Sequence, residues 1–213
     1  MSSDNLKLPR EAFVNKFIAK NKFYEKAALS TKLQKEFVDK IQKITWKYKL
    51  AESTVGITKT EKVTEIQIFE IELKEQIIPK NILKVIDKAI PYQILYRFIY
   101  NDNEAYGITL KENNNAKNYY FSDWNEDKSF DFTGIDLEKV YQKLVKSFIR
   151  NELQNKFNFN DIIDNDKKIK ALKNEITVLE SRISKEKQFN RKVEINKILL
   201  KRKNQLKKIK EEL

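Results

Sequence analysis

Val63-Thr-Glu-Ile-Gln-Ile-Phe-Glu-Ile-Glu-Leu-Lys74 decides the fold. Apolar residues alternate with Glu and Gln along it, the period of two that sends successive side chains to opposite faces of a strand. The alternation changes phase between Ile68 and Phe69, which predicts a bulge or a strand buried on both faces. Pro79 ends the strand, and Asn81 to Ala89 reads as a short helix carrying Ile82, Leu83, Val85 and Ile86. Pro91 introduces a further strand, Tyr92 to Tyr100. A strand, a helix and a strand in that order point to an α/β sheet.

Upstream, Pro9 sits where helices like to begin, after a start expected to be disordered. Phe13, Val14, Phe17, Ile18, Phe23 and Tyr24 then predict an amphipathic helix over Glu11 to Lys26. Ser30 is an N-cap candidate for a second helix with Leu33, Phe37, Val38, Ile41 and Ile44 on one face, giving way to a strand near Thr45. Downstream, Asn101 to Glu104 is turn material and Ala105 to Leu110 a strand. Glu112 to Lys117 is loop-like, Asn118 to Trp124 a last strand, and Asp136 caps a helix running to about Leu153. The expected architecture is α/β (α+β): residues 1–155 as a compact mixed sheet with flanking helices, and 156–166 as a polar linker.

Residues 167–213 are expected to form a basic antiparallel helical hairpin, a coiled coil. From Asn165 to Leu213 there is no Gly or Pro, and 16 Lys/Arg face 7 Asp/Glu, which accounts for +9 of the chain's +12. Ile169, Leu172, Ile176, Leu179 and Ile183 keep a 3-4 spacing. Ile195, Leu199, Leu206, Ile209 and Leu213 keep one shifted by two positions, which one continuous coil serves poorly. Two helices folding back near Lys185 to Asn190 accommodate the shift, although no residue type there forces the turn.

Composition excludes whole chemistries. The chain has no His and no Cys, so it builds neither a Ser-His-Asp nor a Cys-His nucleophile, and no Cys/His zinc site. Three glycines, at 56, 107 and 134, leave no phosphate-cradling loop. The start lacks the pattern of a signal peptide, no stretch is long and apolar enough to span a membrane, and the missing cysteines fit a reducing compartment. The expectation is a cytoplasmic protein.

The net charge of +12 suggests an acidic partner such as nucleic acid, while the abundance of Lys, Asn and Ile also fits plain compositional bias. Lys197, Lys201, Arg202, Lys203, Lys207, Lys208 and Lys210 make seven cations in fourteen residues without one acid. They suit DNA phosphates and docking on an acidic partner helix about equally.

Glu72-Leu-Lys74 closing a strand is the pattern of restriction-endonuclease-like sites. There two carboxylates hold Mg²⁺ and a lysine assists the attacking water. Glu65, or else Glu52 or Glu61, would supply the second acid. The chain's abundance of charge produces such a triplet often, so no catalytic residue is favoured and no cofactor is expected outside this Mg²⁺ alternative. Glu65, Gln67, Glu70 and Glu72 read more simply as the wet face of a sheet, and Trp46, Tyr48, Tyr92, Tyr96, Tyr100, Tyr119, Tyr120 and Trp124 as packing rather than base-stacking residues.

The phrases WKYKLAEST (46–54), EIQIFEIELK (65–74), IDKAIPYQILYRF (86–98), YYFSDW (119–124) and KEKQFNRKVEIN (185–196) resemble one prokaryotic family, the domain of unknown function four-three-nine-one. The resemblance spans nearly the whole chain. It brings no catalytic residues with it. Members are often encoded beside helicases and DNA methyltransferases in operons of restriction-modification or phage-defence type. The resemblance therefore implies a non-catalytic accessory subunit of such a DNA-processing complex, partnered with the helicase or methyltransferase. The alternatives are the Mg²⁺-dependent nuclease and a homo-oligomeric coiled-coil scaffold.

Overall fold

Strand β3 (Ile66–Leu73) lies inside a six-stranded sheet whose order follows the chain. Its neighbours are β1 (Phe13–Phe17) and β2 (Ile41–Leu50) on one side, with β4 (Gln93–Tyr100), β5 (Asn103–Glu112) and β6 (Asn115–Phe121) on the other. This computed structural model describes residues 6–112, 115–149 and 158–211. Only β3 and β4 pair in parallel. A parallel pair needs a crossover, and α4 (Lys80–Ala89) supplies it. The phase change in β3 is burial on both faces. Its ladder to β4 runs unbroken from Ile66 opposite Gln93 to Glu72 opposite Ile99, while β2 shifts register against it twice, between Ile41 and Lys43 and, across from Ile68 and Phe69, between Trp46 and Tyr48.

Helices α1 (Asn21–Ala27), α2 (Thr31–Lys40) and α4 cover one face of the sheet. Phe23, Phe37, Leu83 and Ile86 meet Ile44, Ile71, Tyr96 and Phe98 there in one buried cluster. A one-turn helix, α3 (Glu52–Val55), follows β2. Helix α5 (Leu137–Lys146) buries Leu137, Val140, Leu144 and Val145, and the Asp136 side chain accepts the Lys139 amide as its N-cap. Ser30 caps α2 in the same way through the Leu33 amide.

Three N-terminal expectations are corrected. Phe13 to Phe17 is strand, not helix, held by its ladder to β2 with Phe13 opposite Tyr48 and Phe17 opposite Thr45. Its side chains are largely exposed, so the apolar spacing there reflects an edge strand rather than a core-facing helix. The helix expected from Glu11 begins only at Asn21. Ile41 and Ile44, expected on a helix face, start β2, because Ile41 pairs with Leu73 and the Lys74 amide bonds the Lys40 carbonyl. Glu112 to Lys117, expected as loop, is strand where it is described. Glu112 ends β5 and Asn115 to Lys117 begin β6, because the ladder between the two strands pairs Glu112 with Asn115. Strand β6 stops at Phe121 rather than Trp124. Helix α5 ends at Lys146 with Ser147 to Ile149 as a turn, short of the expected run toward Leu153, and residues 150–153 lie outside those described.

The chain divides into two units, residues 1–148 and 149–213. The second is a hairpin of α6 (Phe159–Lys185) and α7 (Phe189–Glu211), turning at residues 186–188 as the register shift required. Ile176 and Leu199 are buried, and Ile169, Leu172, Leu179, Ile183, Ile195, Leu206 and Ile209 are half-buried. Residues 159–166, expected as linker, are the first two turns of α6. Asn158 accepts the Asp161 amide and Ile162 and Ile163 are buried, so an Asn/Asp-rich stretch here serves as a helix start. Residues 156 and 157 of the linker, the boundary at 155, the first five residues and Leu213 lie outside the described residues.

Candidate functional site

The hairpin sorts its cations into two groups. Arg202 pairs with Glu175 at 2.7 Å and Lys203 with Glu180 at 2.8 Å, both from α7 to α6, while Lys207 reaches Glu211 within α7 at 3.6 Å. The first two pairs tie α7 to α6, and the third is local to α7. Lys197, Lys201, Lys208 and Lys210 are exposed and make no ion pair or side-chain hydrogen bond among the described residues. At 3.6 residues per turn, Lys197, Lys201 and Lys208 fall in a sector of about 40° on the side of α7 away from Leu199, spanning roughly 16 Å of axis. Between Lys197 and Lys208 this side of α7 carries no acid, and the exposed Glu194 and Glu211 flank it three residues before and three after.

The turn gathers a second group. Arg182 and Lys185 end α6, Lys187 lies in the turn, and Arg191 and Lys192 begin α7. An open cavity of about 620 Å³ lies there, lined by Arg182, Lys185, Gln188, Arg191 and the apolar Val178 and Ile195. Glu186 is the acid among them. Its carboxylate accepts the Lys187 and Gln188 amides at 2.8 and 2.9 Å. Its pKa is lowered, first by the Gln188 amide, with Lys187, Arg191 and Lys192 adding to the effect.

The endonuclease-like constellation is not assembled. Glu72 pairs with Lys43 at 3.2 Å, whereas the Lys74 ammonium donates to the Val38 carbonyl of α2 at 2.8 Å. Glu65 binds Lys49 and Gln67 at the far end of β3. Seven residues of strand place it roughly 23 Å from Glu72. Glu52 lies in α3 and Glu61 in the connection before β3, both exposed. Among the described residues no group of three or more acidic side chains is arranged to hold a metal ion.

The other polar residues of β3 are also engaged. Glu70 takes Arg97 at 3.2 Å and Lys47 at 3.6 Å, and Arg97 also grips Glu104 at 2.6 Å. Gln67 belongs to the helix-covered side with Phe69 and Ile71, so the four polar residues do not line one groove. Tyr96 is in the buried core beneath the helices, with Trp46, Tyr100, Tyr119 and Trp124 packed against it, and Tyr48 and Tyr120 are buried. They are packing residues rather than a stacking platform.

A family model described as "Domain of unknown function (DUF4391)" matches residues 6–212. The chain belongs to this family. The match takes in both the sheet and the hairpin. No curated protein and no solved structure matches the chain. No helix among the described residues is long and apolar enough to cross a membrane.

Two features of this DUF4391 member escaped the sequence reading. One is the cation cluster at the turn. KEKQFNRK carries it in plain view, and placing the fold-back there was enough to gather these residues at one end. The other is a buried network around Asp87. This acid of α4 sits 3.2 Å from Lys111 of β5, both side chains fully buried, and accepts Thr109 at 2.9 Å and Tyr119 at 2.7 Å. Lys111 also donates to the carbonyls of Asp87, Ile90 and Tyr92, tying the end of α4 and its following turn to the sheet. Burial lowers the Lys111 pKa, against the opposing charge of Asp87. Burial, then Asp87, raises those of Tyr96 and Tyr119. Nothing in the spacing of Asp87 and Lys111, 24 residues apart, announces the pair.

Proposed function

We propose that this protein is a non-catalytic accessory subunit of a cytoplasmic DNA-processing complex of the restriction-modification or phage-defence kind, and that its helical hairpin holds duplex DNA by the backbone. The observation that carries the reading is the row of unpaired lysines, Lys197, Lys201 and Lys208, along one side of α7. The cations at the turn add positive charge at one end of the same hairpin. Arg202, Lys203 and Lys207, by contrast, are engaged within the hairpin and contribute structure more than contact. Contacts of this kind recognise phosphate spacing and carry no base readout, so binding is blind to sequence and steep in salt. The helicase or methyltransferase partner rests on the operon resemblance. The absence of an assembled acid pair around Lys74 favours this binding role over the nuclease.

The test is fluorescence anisotropy with a short labelled duplex across a KCl series. Each phosphate contact steepens the log–log salt slope by about 0.9, so Lys197→Ala, Lys201→Ala and Lys208→Ala together should flatten it by roughly 3. A triple variant that retains the parent affinity and slope would sink the proposal.

A further inference from the structure

A second surface lies on the sheet unit, where α2 and α4 run side by side over the core. Between them, under the end of α1, is an open groove of about 440 Å³. Its floor is apolar, formed by Leu29, Leu33 and Val85, which belong to the core cluster or pack against it. Its rim is cationic. Lys84 and Lys88, four apart on α4, share one side of the groove, and Lys32 in the first turn of α2 faces them. None of these three makes an ion pair or side-chain hydrogen bond among the described residues. The acid at the rim, Glu36, is already paired to Lys40 at 3.3 Å.

We propose that this groove docks an acidic amphipathic helix from a partner protein. The charge arrangement selects that occupant. A helix laying apolar residues at i, i+3 or i+4 and i+7 into the floor presents its flanks to the two rims, and three unpaired lysines call for Asp or Glu on those flanks. Duplex DNA would satisfy the lysines but leave the half-buried faces of Leu29 and Leu33 without an apolar partner. The groove follows α4 over Asn81 to Lys88, roughly 10 Å of axis, enough for about two turns of a docked helix. Of the chain's two surfaces, then, the hairpin takes nucleic acid and the α2–α4 groove takes protein. This assignment stands apart from the DNA reading, since the two surfaces share no residue.

The experiment uses the full chain, isotope-labelled, and two synthetic peptides of identical composition. One places Leu at i, i+3, i+4 and i+7 with Glu on its flanks; the other scrambles the order. The amphipathic peptide should shift amide resonances at Leu33, Val85, Lys84 and Lys88 and bind at least tenfold more tightly than the scramble. Lys84→Glu with Lys88→Glu should weaken it at least tenfold while leaving the duplex-binding salt slope unchanged, because like charges now face the flanks. Both side chains are exposed, so the variant keeps its fold, and an unchanged circular dichroism melt checks that. Leu33→Ser should weaken the peptide too, with the rim charges intact. The proposal is overturned if the two peptides bind alike, if the shifts fall on the hairpin, or if the duplex displaces the peptide. Shifts at the groove with phosphatidylserine vesicles and none with the peptide would also overturn it, in favour of a membrane contact.

Discussion

Lys111 lies between an acid and three carbonyls with its side chain almost wholly buried, and removing it leaves Asp87 buried without its cation. Breaking a buried pair from one side costs about 3–5 kcal/mol, whereas replacing both partners with apolar groups is often neutral. Lys111→Met should therefore lower the urea-unfolding free energy by about that amount. Asp87→Leu added to Lys111→Met should recover a good part of it, and simple additivity of the two losses would argue against a coupled pair. The surrounding tyrosines give a pH signature. Tyr96, Tyr119 and Tyr141 have raised pKa values, in each case first through burial. Above about pH 10 the unfolded chain releases these protons while the folded chain keeps them, so stability falls as pH rises. Lys111 and Lys20, lowered, act in the opposite sense below their unfolded value of about 10.4, while Tyr24, raised, adds to the fall. Melting temperature should drop between about pH 9.5 and 11, and Tyr119→Phe should make that drop shallower. Gly107 poses a steric constraint nearby. A Cβ there would lie 2.7 Å from the Phe121 ring and 3.0 Å from that of Phe98, so Gly107→Ala should destabilise by about 1–3 kcal/mol, read by thermal melting.

Elements divide between those that carry their own signal and those that borrow it. The N-caps at Ser30 and Asp136 are local chemistry and sit where the sequence places them, and Asp136→Ala should cost about 0.5–2 kcal/mol. The α6–α7 seam is legible because it repeats. Its stability comes from apolar burial, so Leu199→Ala should weaken the hairpin by about 2–5 kcal/mol. Glu175→Ala, which breaks the half-exposed pair with Arg202, should cost under about 1 kcal/mol. Amide hydrogen exchange in α7 measures both. Strand β1 carried no such signal. Its Phe13 and Phe17 are 49% and 60% exposed, so helical spacing among apolar residues misled where no core enforced it. The boundary between α2 and β2 was also hidden, since Ile41 and Ile44 satisfy a helical stripe and a strand equally until Leu73 and Ile71 pair with them.

For the molecule as a whole, charge is the property most directly tied to partners. The net +12 is concentrated in the hairpin, and three phosphate contacts from Lys197, Lys201 and Lys208 would lose about fortyfold in duplex affinity between about 50 and 200 mM salt. A flat salt response would instead assign those lysines to solvation. By itself the sequence determined the mixed sheet around β3, the fold-back of the hairpin and the exclusion of His- and Cys-based chemistry, because periodicity, register and composition act locally or by counting. Only the tertiary structure decided which hairpin cations are paired, that Glu65, Glu72 and Lys74 diverge, and that Asp87 meets Lys111 in the interior. It also brought Lys32 of α2 opposite Lys84 and Lys88 of α4. These are relations between residues distant along the chain, set by strand pairing and helix packing, and no local pattern encodes them.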